Sequence, residues 1–208
     1  MSGAGEQPFR GSGPLAILGG AGGIGQVLVR AATDFGFEPI VLDLPASLEA
    51  HPPDVPSHAV DATAEAALAA TAQALPDSLS GLVCLSGFMR ENQPLSELPP
   101  QVWDDVISGN LTATYLATRS LAPRVRKGGA VVLTGSGLGH FPRPGYGPYA
   151  ISKAGIAAMT RQLALEMAPD VRVNCVAPSA VDTAFLLGGT GRSGEDAPPA
   201  IDIAAYSR

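Results

Sequence analysis

Leu15-Ala16-Ile17-Leu18-Gly19-Gly20-Ala21-Gly22-Gly23-Ile24-Gly25-Gln26-Val27-Leu28 is the stretch whose reading decides the fold. Four apolar residues run into a glycine cluster, as a buried parallel strand does. From Gly25 to Phe35 the apolar positions Val27, Leu28, Ala31 and Ala32 recur at helical spacing. Glycine between strand and helix lets the chain turn with positive φ and lets backbone N–H groups approach a pyrophosphate. The helix N-terminus adds its unpaired N–H groups and partial positive charge. A plain tight turn also uses such glycines, and this chain has 25 of them. The strand–loop–helix context is what points to a nucleotide. No Lys-Ser/Thr follows the loop, which argues against a nucleoside-triphosphate P-loop.

Outward from that unit, strands and helices alternate. Short apolar runs at Pro39–Asp43, Ser57–Val60, Gly81–Leu85, Ala130–Thr134 and Val171–Val176 read as strands. Helical patterns cover Ala62–Leu75, Pro100–Arg126 and Pro148–Met167, while the Pro-rich stretch from Pro45 to Pro56 reads as an irregular connection. Alternation of this kind predicts an α/β fold, a doubly wound parallel sheet of Rossmann-like type with six recognisable strands. Residues 1–14, rich in glycine and polar side chains, are expected to form a flexible tail.

Composition narrows the function. The 208 residues carry a formal net charge of −6 and are 46% hydrophobic and 15% charged, which excludes a disordered chain and offers no basic footprint for nucleic acid. Cys84 and Cys175 each sit in an apolar run and read as buried reduced thiols, and no Cys/His spacing suits a metal. Neither a signal peptide nor an apolar run of about 18 residues appears, so a soluble cytoplasmic protein is expected.

Asp43 closes the second strand, 18 residues beyond Gly25. An acid there accepts hydrogen bonds from the adenosine ribose of NAD and repels the extra phosphate of NADP. No Arg or Lys follows in Leu44–Leu48, so NAD is favoured; an ordinary solvated strand-end Asp is the alternative. Tyr149 and Lys153 stand at i and i+4, one above the other on a helix face. An ammonium so placed is expected to stabilise phenolate and pull the tyrosine pKa toward neutrality, fitting it for proton exchange with an alcohol or ketone. Only two lysines occur, Lys127 and Lys153, so the pairing is a poor candidate for chance, although an exposed helix pair remains the bland reading.

With these residues in order, the chain resembles a classical short-chain dehydrogenase/reductase from about Leu15 to Phe185, which implies a dinucleotide-binding catalytic domain over 15–185 and a substrate-loop region with an incomplete C-terminal end over 186–208. Gly19, Gly23 and Gly25 match the family's TGxxxGxG loop, and Asp61 its adenine-side acid. Asn110 matches the asparagine of the long helix, and Ser136 the catalytic serine 13 residues before Tyr149. Asn174–Thr183 (NCVAPSAVDT) is similar to the stretch framing the nicotinamide carboxamide. The resemblance implies Asn110, Ser136, Tyr149 and Lys153 as the catalytic set. Ser136 would hold the substrate oxygen, Tyr149 exchange the proton, Lys153 tune the tyrosine and bind ribose, and Asn110 place a relay water. Cofactor contacts are implied for Gly19, Gly22, Gly23, Ile24, Gly25, Asp43, Leu44, Asp61, Ala62, Ser86, Gly87, Tyr149, Lys153, Pro178, Val181 and Thr183, and no metal is implied.

The departures from the family pattern are local. Leu18 replaces a Thr, Cys84-Leu85-Ser86-Gly87 replaces Asn-Asn-Ala-Gly, and Ser179 replaces a Gly. Leu138, His140, Phe141 and Tyr146, with Phe88 and Met89, are expected to line an apolar substrate pocket. The leading reading is an NAD-dependent oxidoreductase of secondary alcohols or ketones. A dinucleotide-binding sensor or inactive partner subunit without turnover is the alternative. Pairing of the two long helices across a two-fold axis is implied, with Ala154, Ala157, Ala158 and Leu165 permitting close packing. Gly- and Pro-rich Leu186–Pro199 reads as a loop covering substrate. The family's usual seventh strand has no counterpart; truncation is expected, and a six-stranded sheet with an exposed edge is the alternative.

Overall fold

Leu79–Cys84 is buried along its whole length and forms one of the two middle strands of a six-stranded, wholly parallel sheet. The computed structural model describes residues 10–90, 93–183 and 185. The strands are β1 (Gly13–Leu18), β2 (Phe37–Asp43), β3 (Ser57–Ala59), β4 (Leu79–Cys84), β5 (Val125–Thr134) and β6 (Arg172–Val176). Their order across the sheet is β3-β2-β1-β4-β5-β6, so the chain winds one way from β1 and then returns to continue on its other side. That reversal opens a crevice between the carboxyl ends of β1 and β4, where ligands bind in folds of this class. The doubly wound expectation is met.

The period of two along each strand divides the core. Ala16 and Leu18 of β1, Leu82 and Cys84 of β4 and Leu133 of β5 face one layer of helices. That layer holds α3 (Glu65–Ala74), α5 (Ala113–Leu121) and α6 (Gly147–Met167), through Leu68, Leu116, Leu121 and Ile156. Leu15, Ile17, Val41 and Val83 face the other side and pack on Val29 and Ala32 of α1 (Gly23–Asp34).

Three local expectations are corrected. The Pro45–Pro56 connection contains a helix, α2 (Pro45–Ala50), because Pro45 occupies the first turn, where its missing N–H costs nothing. The long pattern from Pro100 is helical only to Leu121: α4 (Pro100–Ile107) widens into a π-turn at Ser108–Thr112 and continues as α5. Pro123 lies in a short 3-10 turn, Ala122–Arg124, and β5 begins at Val125, so the expected helical end to Arg126 is strand. β1 also starts two residues before the expected Leu15. The substrate-covering loop expected over 186–199, and the chain beyond it, lie outside the described residues.

Candidate active site

The glycine loop is built by close backbone approach. Gly19 has φ +82°, and a Cβ there would stand 2.8 Å from the Ser86 backbone nitrogen. A Cβ on Gly25 would overlap the Gly19 carbonyl oxygen, and one on Gly23 would come 2.7 Å from Thr183 Cγ2. α1 therefore starts against the strand end with no side chain capping its first N–H groups and no acid in its first turn. Its positive end is left open to an anion.

Asp43 supports this loop from β2. Its Oδ2 accepts from the Ala21 N–H at 2.9 Å and its Oδ1 from the Leu44 N–H at 2.8 Å. Asp61, after β3, accepts from both the N–H (2.9 Å) and the hydroxyl (2.7 Å) of Thr63 through Oδ1. Both acids face one cavity of about 470 Å³, a size suited to a small organic ligand or cofactor. Its walls hold Gly19, Gly22, Gly23, Ile24, Gly25, Leu44, Ala62, Ser86, Gly87, Pro178, Val181 and Thr183, together with Ser136, Tyr149 and Lys153. Sequence reasoning missed Ser47 and His51, brought to the same wall by α2, and Thr134 and Phe185. Pro45 followed by helix-forming residues was the available signal for α2; Phe185 carried none.

Ser136, Tyr149 and Lys153 meet at the carboxyl end of β5. Lys153 is 3% exposed; its Nζ donates to the Thr134 carbonyl at 3.0 Å and stands 5.5 Å from the centre of the Tyr149 ring. Burial lowers the Lys153 pKa to about 8, against the opposing pull of Cys175 and Cys84. Burial also pushes the Tyr149 phenol up to about 12, with the Ser136 hydrogen bond pulling it down. The expected shift toward neutrality is therefore reversed. The ammonium lies by the ring and bonds a backbone carbonyl, so desolvation of the phenolate outweighs its attraction.

Asn110 is fully buried in the π-turn and does not line the cavity; its neighbour Gly109 does. Its Oδ1 accepts from the Phe88 N–H at 3.2 Å, while Nδ2 donates to the Phe88 carbonyl at 2.9 Å and the Val106 carbonyl at 2.8 Å. Gly87 is wedged beside it: a Cβ would sit 2.5 Å from Asn110 Oδ1 and 3.1 Å from Lys153 Nζ. Cys84, in place of the family's first asparagine, is a buried thiol pushed up to about 12 by burial, with Lys153 pulling it down.

The expected substrate wall is only partly present. Phe88 lines the cavity and Met89 packs behind it in the cluster around Tyr149. Leu138 and Tyr146 pack against that cluster, whereas His140 is exposed and Phe141 is 80% exposed, outside the cavity. A short 3-10 turn, Gly137–Gly139, carries the chain away from the site before residues 140 and 141. Among the described residues no cluster of His, Cys, Asp or Glu is placed to hold a metal, and no helix is long and apolar enough to cross a membrane.

A crevice at the strand-order reversal, a glycine loop, and Ser136, Tyr149 and Lys153 come together in one cavity of a doubly wound α/β fold. The short chain dehydrogenase family model matches residues 15–188, and the chain belongs to that family. Bovine dehydrogenase/reductase SDR family member 4 is 40% identical over 94 residues, 44% of this chain and 34% of its own length. Oxidoreductase YciK of Escherichia coli K12 is 38% identical over 109 residues, 51% of this chain and 43% of its own. The matches thus span a third to under half of the curated relatives' length. A short chain dehydrogenase of Shigella flexneri, solved with NADP, superposes with a TM-score of 0.76 at 27% identity, covering 86% of this chain and 82% of that one. The E. coli yciK structure superposes at 0.78 and 26% identity, covering 93% and 86%.

Proposed function

We propose that this chain is an NAD-dependent oxidoreductase of secondary alcohols and ketones, with Tyr149 as the proton-exchanging group. The observation that carries the reading is the convergence of Ser136, Tyr149 and Lys153 on the cavity that also holds the glycine loop. A dinucleotide fits what is there. The loop has backbone where a Cβ would clash, the α1 N-terminus is uncapped, and the buried hydroxyls Ser86 Oγ and Thr134 Oγ1 find no hydrogen-bond partner among the described residues. When bound, the dinucleotide would supply or accept the hydride.

The chain's residues handle position and proton. Gly19–Gly25 and the α1 N-terminus would hold the pyrophosphate, with Asp43 at the ribose and Asp61-Ala62 at the adenine. Pro178, Val181 and Thr183 would frame the carboxamide; Pro178 is already tied to the serine loop by the Gly137 N–H, 3.0 Å from its carbonyl oxygen. Ser136 would orient the substrate oxygen. Tyr149 would give that oxygen a proton, and its raised pKa keeps it protonated at neutral pH, which suits ketone reduction. Lys153 would bind the nicotinamide ribose. Asn110 would hold Phe88, and with it the adjoining Gly87, beside Lys153 and would place a relay water.

NAD is preferred in this reading because Asp43 is half-buried at the ribose end, and the only basic side chains among the described lining residues are Lys153 and His51. The Shigella relative solved with NADP is the counterweight. Titrating NADH against NADPH by fluorescence tests this: tighter NADPH binding would overturn the preference. In the catalytic test, Tyr149→Phe should abolish ketone reduction while NADH binding survives. Turnover at the wild-type rate in that variant overturns the role, and NADH binding without turnover across a ketone panel favours a sensor. The free thiols Cys84 and Cys175 support a cytoplasmic setting.

A further inference from the structure

Two phenylalanines border the reactive end of the cavity, and the fold handles them differently. Phe88 is 2% exposed and fixed from two directions. Asn110 takes both its backbone N–H and its carbonyl, and Gly109 has no Cβ because one would overlap the Phe88 ring. The π-turn therefore holds Phe88 with two adjacent residues, Asn110 at its backbone and Gly109 against its ring. Phe185 is only half-buried and comes from the segment after Pro178; its ring centre lies 6.0 Å from that of Tyr149, with the planes tilted by 51°. Both rings line the cavity, and both belong to the apolar cluster that contains the Tyr149 phenol.

The charges nearby are spoken for. Lys153 is the sole charged side chain among the described lining residues at this end, and it donates to the Thr134 carbonyl. The Arg90 guanidinium, 5.9 Å from the Phe88 ring centre, is paired with Asp105 at 2.6 Å and does not line the cavity. A substrate carboxylate would enter an apolar aromatic surround in which Lys153, already bonded to a backbone carbonyl, is the one cation among the described lining residues at this end, at a desolvation cost that a neutral group avoids. A flat ring, by contrast, can pack at the offset or tilted angles that aromatic pairs prefer, with centres 4.5–7 Å apart.

We propose that Phe88 and Phe185 select uncharged ketones or secondary alcohols bearing an aromatic ring on the reacting carbon. Phe88 is the immobile wall, and Phe185 is the ring that packs on the substrate. This rests on the alcohol–ketone reading above and adds the substrate class.

The test compares acetophenone with cyclohexyl methyl ketone, whose ring is similar in size but puckered and without a π face. Reduction by the full chain with NADH is measured in wild type, Phe185→Leu and Phe185→Tyr. Intrinsic reactivity cancels when the acetophenone-to-cyclohexyl kcat/KM ratio is compared between variants. That ratio should fall roughly three- to tenfold in Phe185→Leu, the range an aromatic pair contributes, and hold in Phe185→Tyr. An unchanged ratio in Phe185→Leu overturns the proposal.

Ligand-observed NMR on the protein with NAD separates this from failure of the parent reading. Acetophenone should bind in preference to both cyclohexyl methyl ketone and pyruvate, and Phe185→Leu should remove the first preference. That pattern without turnover defeats the alcohol–ketone reading and leaves the aromatic slot standing. Equal binding of the two ketones, or preferred binding of pyruvate, defeats the slot.

Discussion

Lys153 makes the stability of this chain depend on alkaline pH in a way that one substitution should erase. Burial lowers its pKa from 10.5 to about 8. Between those values the unfolded chain holds the proton and the folded chain has released it, so stability rises with pH across that window. At about 1.4 kcal/mol per pH unit, the full rise is roughly 3 kcal/mol. Two other groups act the opposite way. Cys84 is raised from 9.0 to about 12 and Tyr149 from 10.0 to about 12, so each stays protonated when folded after the unfolded group has ionised. Their contributions fall as pH rises above 9 and above 10. Wild type should therefore gain about 1 kcal/mol from pH 8 to 9, stay level to about 10, and decline beyond.

Lys153→Met isolates the lysine. At pH 7 it removes the penalty of the buried charge but loses the charge-assisted bond to the Thr134 carbonyl, worth about 1.5–3 kcal/mol, so the two effects largely cancel. The difference between variant and wild type should then move by roughly 3 kcal/mol in favour of wild type between pH 7.5 and 10.5. Urea unfolding followed by circular dichroism at four pH values measures it. A difference constant within about 0.5 kcal/mol over that range would show that Lys153 is not desolvated as its burial requires.

Gly87→Ala places a methyl against Asn110 Oδ1 and Lys153 Nζ and should cost about 1–3 kcal/mol of stability by overpacking, with a larger loss in kcat than in NADH affinity. Asn110→Ala frees the Phe88 N–H and carbonyl inside the fold; a loss of about 2–4 kcal/mol in urea unfolding is expected, and a loss below 1 would contradict the clamp. Ala154, Ala158 and 79%-exposed Leu165 lie on the outer side of α6, whereas Ala157 faces inward. If that side pairs two copies, Leu165→Glu should shift the mass seen by light scattering from a multiple of the chain to a single chain. A wild-type monomer ends the idea.

Much of this was legible because it depends on local geometry. A glycine loop between strand and helix, an acid closing the next strand, and a tyrosine four residues before a lysine all follow from chain periodicity. Every residue expected to touch cofactor lines the one cavity. What escaped were effects of neighbours distant in sequence. Nothing around Asn110 indicates that its amide will hold Phe88, 22 residues earlier. Nor do four residues of spacing reveal that Lys153 will turn its ammonium to the Thr134 carbonyl, leaving the phenol's pKa raised. Pro123 could have shortened the long helix on sequence grounds, yet the helical reading was carried past it to Arg126, which with Val125 opens β5.

By itself the sequence determined the alternation of strands and helices, the positions of the glycine turn, Tyr149 and Lys153 along the chain, and the scarcity of lysine that makes Lys153 meaningful. These are properties of backbone propensity and of spacing along one element. Strand order, the crevice at its reversal, the two phenylalanines at the reactive end and the protonation of Tyr149 and Lys153 were decided only in the tertiary structure. The first three depend on which distant segments pair and pack, and the protonation depends on which of them exclude water, since desolvation is set by the packed surroundings rather than by the neighbours in the chain.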